Sequence, residues 1–124
     1  MEIKLLDVSL ALPFDLADPD DAERLEAQVD TLMEGLMGIE AKKGIRQSQV
    51  IREEIAFERE WLDRLFGEGS GERVFAGRED MRTVYLVSHV MRNLNRLYLP
   101  ELLSSSVKEL LEQYSPVRAK RKGK

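Results

Sequence analysis

The sequence predicts a mainly α, single-domain protein with a short N-terminal β-strand pair and a disordered, basic C-terminal tail. Three observations carry this. Apolar residues recur at three- and four-residue spacing from Ala22 to Tyr114, as core-facing helices require. Helix-starting and helix-stopping residues stand at the ends of those runs. Only the first segment alternates with a period near two. The 124 residues suffice for one domain with its own core. The predicted division is a helical domain over 1–115 and a flexible tail over 116–124.

In the first segment Asp7 and Ser9 interrupt an apolar series, and Val8, Leu10, Leu12 and Phe14 share a face if extended. Two short strands turning near Asp7 fit this pattern, with a helix before Pro13 as the alternative. Asp18-Pro19-Asp20-Asp21-Ala22-Glu23 is a helix start: a capping Asp, Pro at the first helical position, and acids where unpaired N–H groups favour negative charge. Its buried stripe is Ala22, Leu25, Val29, Leu32, Met33, Leu36 and Met37, and its expected end is near Gly44. Gly35 and Gly38 weaken the last turns or pack closely against another backbone.

Ser48 is the expected cap of a second helix that runs to Phe66, where Gly67 stops it. Ile51, Ile55, Glu58, Trp61, Leu62, Leu65 and Phe66 trace one side, widened by Val50 and Phe57. The other side carries Arg52, Glu53, Glu54, Glu58, Arg59, Glu60, Asp63 and Arg64. Residues 67–71 read as a loop and 73–77 as a short apolar plug. A third helix is expected over about 79–99, interrupted by Pro100, and a fourth over about 101–113.

The chain lacks cysteine, which excludes disulfides, thiolate metal sites and a cysteine nucleophile. One histidine, His89, excludes a multi-histidine metal site. The apolar run Val8 to Phe14 falls far short of the ~20 residues of a membrane helix, and no basic stretch precedes it. A cytoplasmic protein is expected. Arg118 to Lys124 hold five basic and no acidic side chains, which leaves 14 basic against 23 acidic residues in 1–117. An acidic body repels phosphates, so nucleic-acid binding would rest on the tail alone.

No constellation points to catalysis. The glycine loop follows a helix and lacks the Lys-Ser or Lys-Thr of a phosphate cradle. The carboxylate pairs Glu53/Glu54, Asp20/Asp21 and Glu58/Asp63 lie among arginines and read as solvated surface with ordinary acidity. His89 reads as a packed or surface histidine, and Ser104-Ser105-Ser106 as a helix irregularity. Trp61, Phe66 and Phe75 read as core. Met33, Met37, Met81 and Met91 are either core or the adaptable lining of a groove for a partner helix.

Two stretches together resemble a known family. Leu12-Pro13-Phe14-Asp15-Leu16 leads into the acidic-capped helix, and Trp61-Leu62-Asp63-Arg64-Leu65-Phe66-Gly67-Glu68-Gly69 is followed by Arg73-Val74-Phe75-Ala76-Gly77. This pattern is similar to that of the tail assembly chaperones of siphophages and prophages, small proteins encoded just ahead of the tape measure gene. Ala76, between Phe75 and Gly77, departs from the family's tighter turn. The resemblance covers about residues 3 to 98.

It implies a non-enzymatic, self-associating protein without cofactor, metal or membrane. That protein would coat the tape measure protein in the bacterial cytoplasm and be absent from the mature virion. It also implies contact with tail tube protein through a frameshifted longer form. Met33, Leu36, Met37, Met81 and Met91 are the expected partner-binding residues, chosen for their adaptable apolar chemistry. The rival expectation is a small phage nucleic-acid-binding or packaging-associated protein that uses Arg118 to Lys124.

Overall fold

The computed structural model describes residues 1–114, and the expected tail over 116–124 lies outside them. The described chain is mainly helical, with a two-stranded antiparallel sheet at its N-terminus. Strands β1 (Glu2–Leu5) and β2 (Val8–Ala11) pair in the register Ile3 to Leu10 and Leu5 to Val8. The two-residue turn at Leu6-Asp7 sets that register and holds Leu6 at φ 60. Ile3, Leu5, Leu10 and Leu12 are buried, so the period-two pattern reports the face that meets the helices.

Helix α1 (Pro19–Glu40) starts as its sequence dictates: Asp21 N–H donates to the Asp18 carboxylate at 2.9 Å, and Pro19 follows the cap. It ends at Glu40, short of Gly44. Gly35 lies under an aromatic ring, not a backbone: a Cβ there would stand 2.0 Å from Phe57 Cζ.

Helix α2 (Gln47–Phe66) is capped by Arg46 without a side-chain bond, not by Ser48, and stops at Gly67 with φ 110. The Trp61 indole N–H donates to the Gln28 carbonyl at 3.0 Å and fixes α2 against α1.

The expected loop and plug form a further helix, α3 (Ser70–Phe75). Two interactions make a helix of this glycine-rich stretch. Gly71 N–H donates to Asp63 Oδ1 at 2.8 Å. A Cβ on Gly71 would lie 2.2 Å from the Arg59 carbonyl oxygen, so only glycine lets α3 lie this close to α2. Val74 and Phe75 are then driven into the core with no exposure.

Helix α4 (Met81–Arg92) is capped by Asp80, whose carboxylate accepts from Arg82 N–H at 2.8 Å and Thr83 N–H at 3.3 Å. The break before the last helix falls at Asn93, not Pro100. The Asn93 side-chain amide donates to the His89 carbonyl at 2.7 Å and closes α4. Helix α5 (Leu94–Tyr114) then runs through Pro100. Pro100 and Arg96 are both exposed, and a missing helical N–H costs least at a surface position, where water can serve a carbonyl left without its donor. The first turns of α5 are tied to β1, where Lys4 N–H donates to the Tyr98 hydroxyl at 2.9 Å.

Candidate functional site

Two surfaces stand out from an otherwise ordinary core: a groove against α1, α2 and α4, and the outer half of α5. The groove, of about 260 Å³, is lined by Met33, Leu36, Met37 and Glu40 of α1, Glu54 of α2, and Met81, Val84, Tyr85, Ser88 and Arg92 of α4. Met37 and Tyr85 are 64% and 68% exposed, unusual values for large apolar or aromatic side chains on a packed body.

The groove contains a buried acid. Helix α2 turns its Glu54 and Glu58 inward, one helical turn apart, and both are buried. This corrects the expectation that these carboxylates lie on a solvated face. Glu58 belongs to the inward series of Ile55, Trp61 and Leu62, and Glu54 adjoins Ile55 on the side that meets the groove. Position along the helix, rather than charge, decides where they point.

Among the described residues, Glu54 Oε1 and both oxygens of Glu58 have no hydrogen-bond partner. Burial pushes the Glu58 carboxyl up to about 9, with the neighbouring Glu54 adding to the effect. Burial, then a hydrogen bond and charge from Glu40, push Glu54 up to about 7. Desolvation dominates because a carboxylate without donors is far costlier in the interior than a neutral acid. The other named acids behave differently. Glu53 pairs with Lys42 and stays acidic, Asp20 is exposed, and Asp63 accepts from α3.

Of the five expected partner-binding residues, four line this one groove: Met33, Leu36, Met37 and Met81. Leu36 is a buried part of its wall. Met91 is not part of it; it is 2% exposed and belongs to the core. Sequence reasoning missed Glu40, Glu54, Val84, Tyr85, Ser88 and Arg92 as groove residues. The available signal was Glu54 at i+3 from Ile51 and next to Ile55.

The second surface is a stripe. Leu103, Val107, Leu110, Leu111 and Tyr114 are all exposed, by 43% to 76%. On a helix of 3.6 residues per turn they fall within an arc of about 100°. On the flank of the same stretch, about 110° around the helix from the centre of the stripe, Leu102 and Ser106 wall a cleft with Met1, Leu12, Pro13 and Phe14. The stripe itself stays exposed.

His89 is exposed, and the triple serine lies on α5 with Ser104 and Ser105 exposed. Among the described residues, no group of three or more metal-ligating side chains could hold a metal ion. No described helix is long and apolar enough to cross a membrane.

The fold and its two surfaces define a small α-helical protein headed by a β-hairpin. Residues 7–124 match the family described as a family of unknown function, DUF6673, and the chain belongs to that family. No curated protein and no solved structure matches the chain.

Proposed function

We propose that the protein is a non-enzymatic tail assembly chaperone that binds the phage tape measure protein in the host cytoplasm, keeps it soluble during tail assembly, and is absent from the mature virion. The observation that carries this reading is the stripe Leu103, Val107, Leu110, Leu111 and Tyr114, an apolar helix face left exposed among the described residues. A long helical partner with apolar faces aggregates unless those faces are covered, and an amphipathic helix covers them reversibly by laying its own apolar stripe alongside. The sequence resemblance around Phe14 and around residues 61–77 supports the same reading. Self-association through the stripe would keep the free protein soluble until the tape measure competes for it, and a frameshifted longer form would add the contact to tail tube protein.

Co-expression with the tape measure protein encoded downstream tests this. The expected result is soluble tape measure that co-purifies with the wild-type chain at both low and high salt, since apolar contact is weakly screened. The variant carrying Val107→Glu and Leu110→Glu should leave the tape measure insoluble. Steeply salt-dependent DNA binding without affinity for the tape measure would replace this reading with the nucleic-acid one.

A further inference from the structure

The α5 stripe has a counterpart on the same chain. The groove of Met33, Met37 and Tyr85 does not end at Arg92. Arg92 also lines a second hollow of about 200 Å³, formed by Leu25, Glu26, Val29 and Asp30 of α1 together with the start of α5. The two hollows therefore follow one another along a seam between α1 and α4, from Glu40 back to Ala22. At a rise of about 1.5 Å per residue the seam is about 27 Å long, and the stripe from Leu103 to Tyr114 is about 17 Å.

We propose that the protein associates head to tail: the α5 stripe of one copy lies in the α1–α4 seam of the next, and the basic segment Arg118 to Lys124 continues along the acidic rim of that α1. This rests on the reading that the stripe is a self-association surface, but not on the tape measure being what the protein carries.

The area available to the stripe favours the seam over a second stripe. The stripe spans residues 103–114, less than two heptads, and a coiled-coil seam takes at least about three. Laid between α1 and α4, the same helix touches two helices at once. It also covers Met37 and Tyr85, exposed by 64% and 68%, which pairing of stripe with stripe would leave bare.

Charge sets the direction. Glu101, Lys108, Glu109 and Glu112 all fall more than about 100° around the helix from the centre of the stripe, so the docking face is uncharged. On α1, Glu26 and Asp30 line the seam, and Glu23 and Glu34 continue their row at three- and four-residue spacing. All four acids are exposed, and none makes an ion pair among the described residues. Past Glu40 the sign reverses at Lys42 and Lys43. The five basic side chains of Arg118 to Lys124 follow the stripe, so they meet acids only if α5 runs antiparallel to α1. Val107 then lies near Met37, Tyr114 near Leu25, and the basic segment over Glu26, Glu23 and Asp20.

The chain lacks cysteine, so introduced thiols report one contact at a time. Full-length chains carrying Met37→Cys and Val107→Cys, mixed and treated with a short bismaleimide, should join to each other, while Val107→Cys chains alone should stay unjoined. Complementation gives a second readout. Val107→Glu with Leu110→Glu removes the stripe, and Met37→Glu with Tyr85→Glu removes the seam. All four positions are exposed, so both variants should melt as the wild type does at low concentration; if either unfolds, the thiol pair decides. Each variant alone should sediment as a monomer, and their mixture as a 1:1 dimer that cannot grow, because it holds one intact stripe facing one intact seam. Removing residues 116–124 should weaken wild-type association about tenfold at low salt and far less at high salt.

A monomeric wild-type chain, Val107→Cys chains that join to one another, a seam variant that associates normally, or a mixture that stays monomeric would overturn the proposal. So would tighter association after removal of residues 116–124, which would place that segment on its own chain's α1. Complementation without tape measure co-purification keeps the head-to-tail contact and removes the chaperone reading. Co-purification by a chain whose seam variant associates normally does the reverse.

Discussion

Leu32, Leu62 and Leu94 have 2% exposure or less, whereas Leu103, Leu110 and Leu111 on the outer half of α5 are 43% to 61% exposed. The residue type is the same and so is the helical spacing. What differs is what lies opposite. In the body each leucine stripe meets another: the Trp61 indole reaches the Gln28 carbonyl of α1, Gly71 lets α3 close on α2, and the hairpin seals the end through Ile3 and Leu5. Among the described residues, the outer half of α5 meets the N-terminal segment along one flank. Burying one such side chain is worth ~1.5–3 kcal/mol. The body has realised that gain on folding, and the exposed side chains on the outer half of α5 have not.

The largest effect that would sharpen the contrast belongs to the body. Trp61→Ala or Phe75→Ala should cost ~3–5 kcal/mol, because both rings are sealed and leave cavities behind. Phe66→Ala should cost clearly less, since Phe66 is only partly buried. Denaturant melts of the three variants rank them directly, and equal losses would show that Phe66 is as enclosed as Phe75.

Next comes the α2–α3 contact. Gly71→Ala places a methyl against the Arg59 backbone and should destabilise by ~1–3 kcal/mol, more than Gly38→Ala, where nothing lies within 4 Å. Gly67→Val should also destabilise, through its φ of 110 rather than through a clash. Thermal melts of Gly71→Ala and Gly38→Ala that coincide would mean α3 is free to shift away from α2.

The buried acids set a third expectation, with a pH signature. Glu58 and Glu54 hold protons in the folded chain up to about 9 and about 7, against 4.5 as their ordinary value. Below about pH 4.5 both states carry the protons and these groups exert no pH effect. As pH rises from there, the unfolded chain loses its protons first, so stability falls through about 7 for Glu54 and on to about 9 for Glu58. Glu58→Met removes two buried oxygens without partners and should raise stability at pH 8, by ~1–3 kcal/mol. Urea titrations from pH 5 to 9 should show a shallower decline in that variant. A parallel decline would mean that Glu58 is solvated on the experimental timescale.

The elements that local chemistry specifies were legible in the sequence: the hairpin turning near Asp7, the Asp18-Pro19 start of α1, and the Gly67 stop of α2. What was not legible depends on neighbours distant in sequence or on the absence of them. Gly69 to Gly71 reads as a loop until Asp63 and the Arg59 backbone are placed beside it. Pro100 reads as a break, but an exposed helix tolerates it, while Asn93 ends α4 through a bond to His89 that no propensity announces. Glu54 was grouped by charge with its arginine neighbours, and Glu58, although it also stood in the apolar series with Ile55 and Trp61, was read as solvated in its pairing with Asp63; their spacing along the helix places both inward. Four of the five residues chosen for adaptable chemistry share one groove, and Met91 does not, because helical spacing turned it into the core.

The smallest expected effect on stability is also the one that bears most directly on the comparison. Val107→Glu with Leu110→Glu replaces two residues that are 51% and 54% exposed. Such positions should change unfolding free energy by no more than ~0.5 kcal/mol each, because little burial is lost and the helix-forming tendency of Glu is good. If the stripe is held in reserve, the loss should appear elsewhere. Sedimentation equilibrium should show self-association in the wild-type chain and a monomer in the variant, with the melting curve at low protein concentration nearly superimposed. Mass action sharpens the contrast: wild-type stability should rise with protein concentration, and the variant's should not. A large drop in stability for the variant at low concentration would place the stripe in the fold's own core energetics and dissolve the distinction between the body and α5. A variant that still associates as the wild type does would move the contact to another face, with the groove around Met37 and Tyr85 next in line.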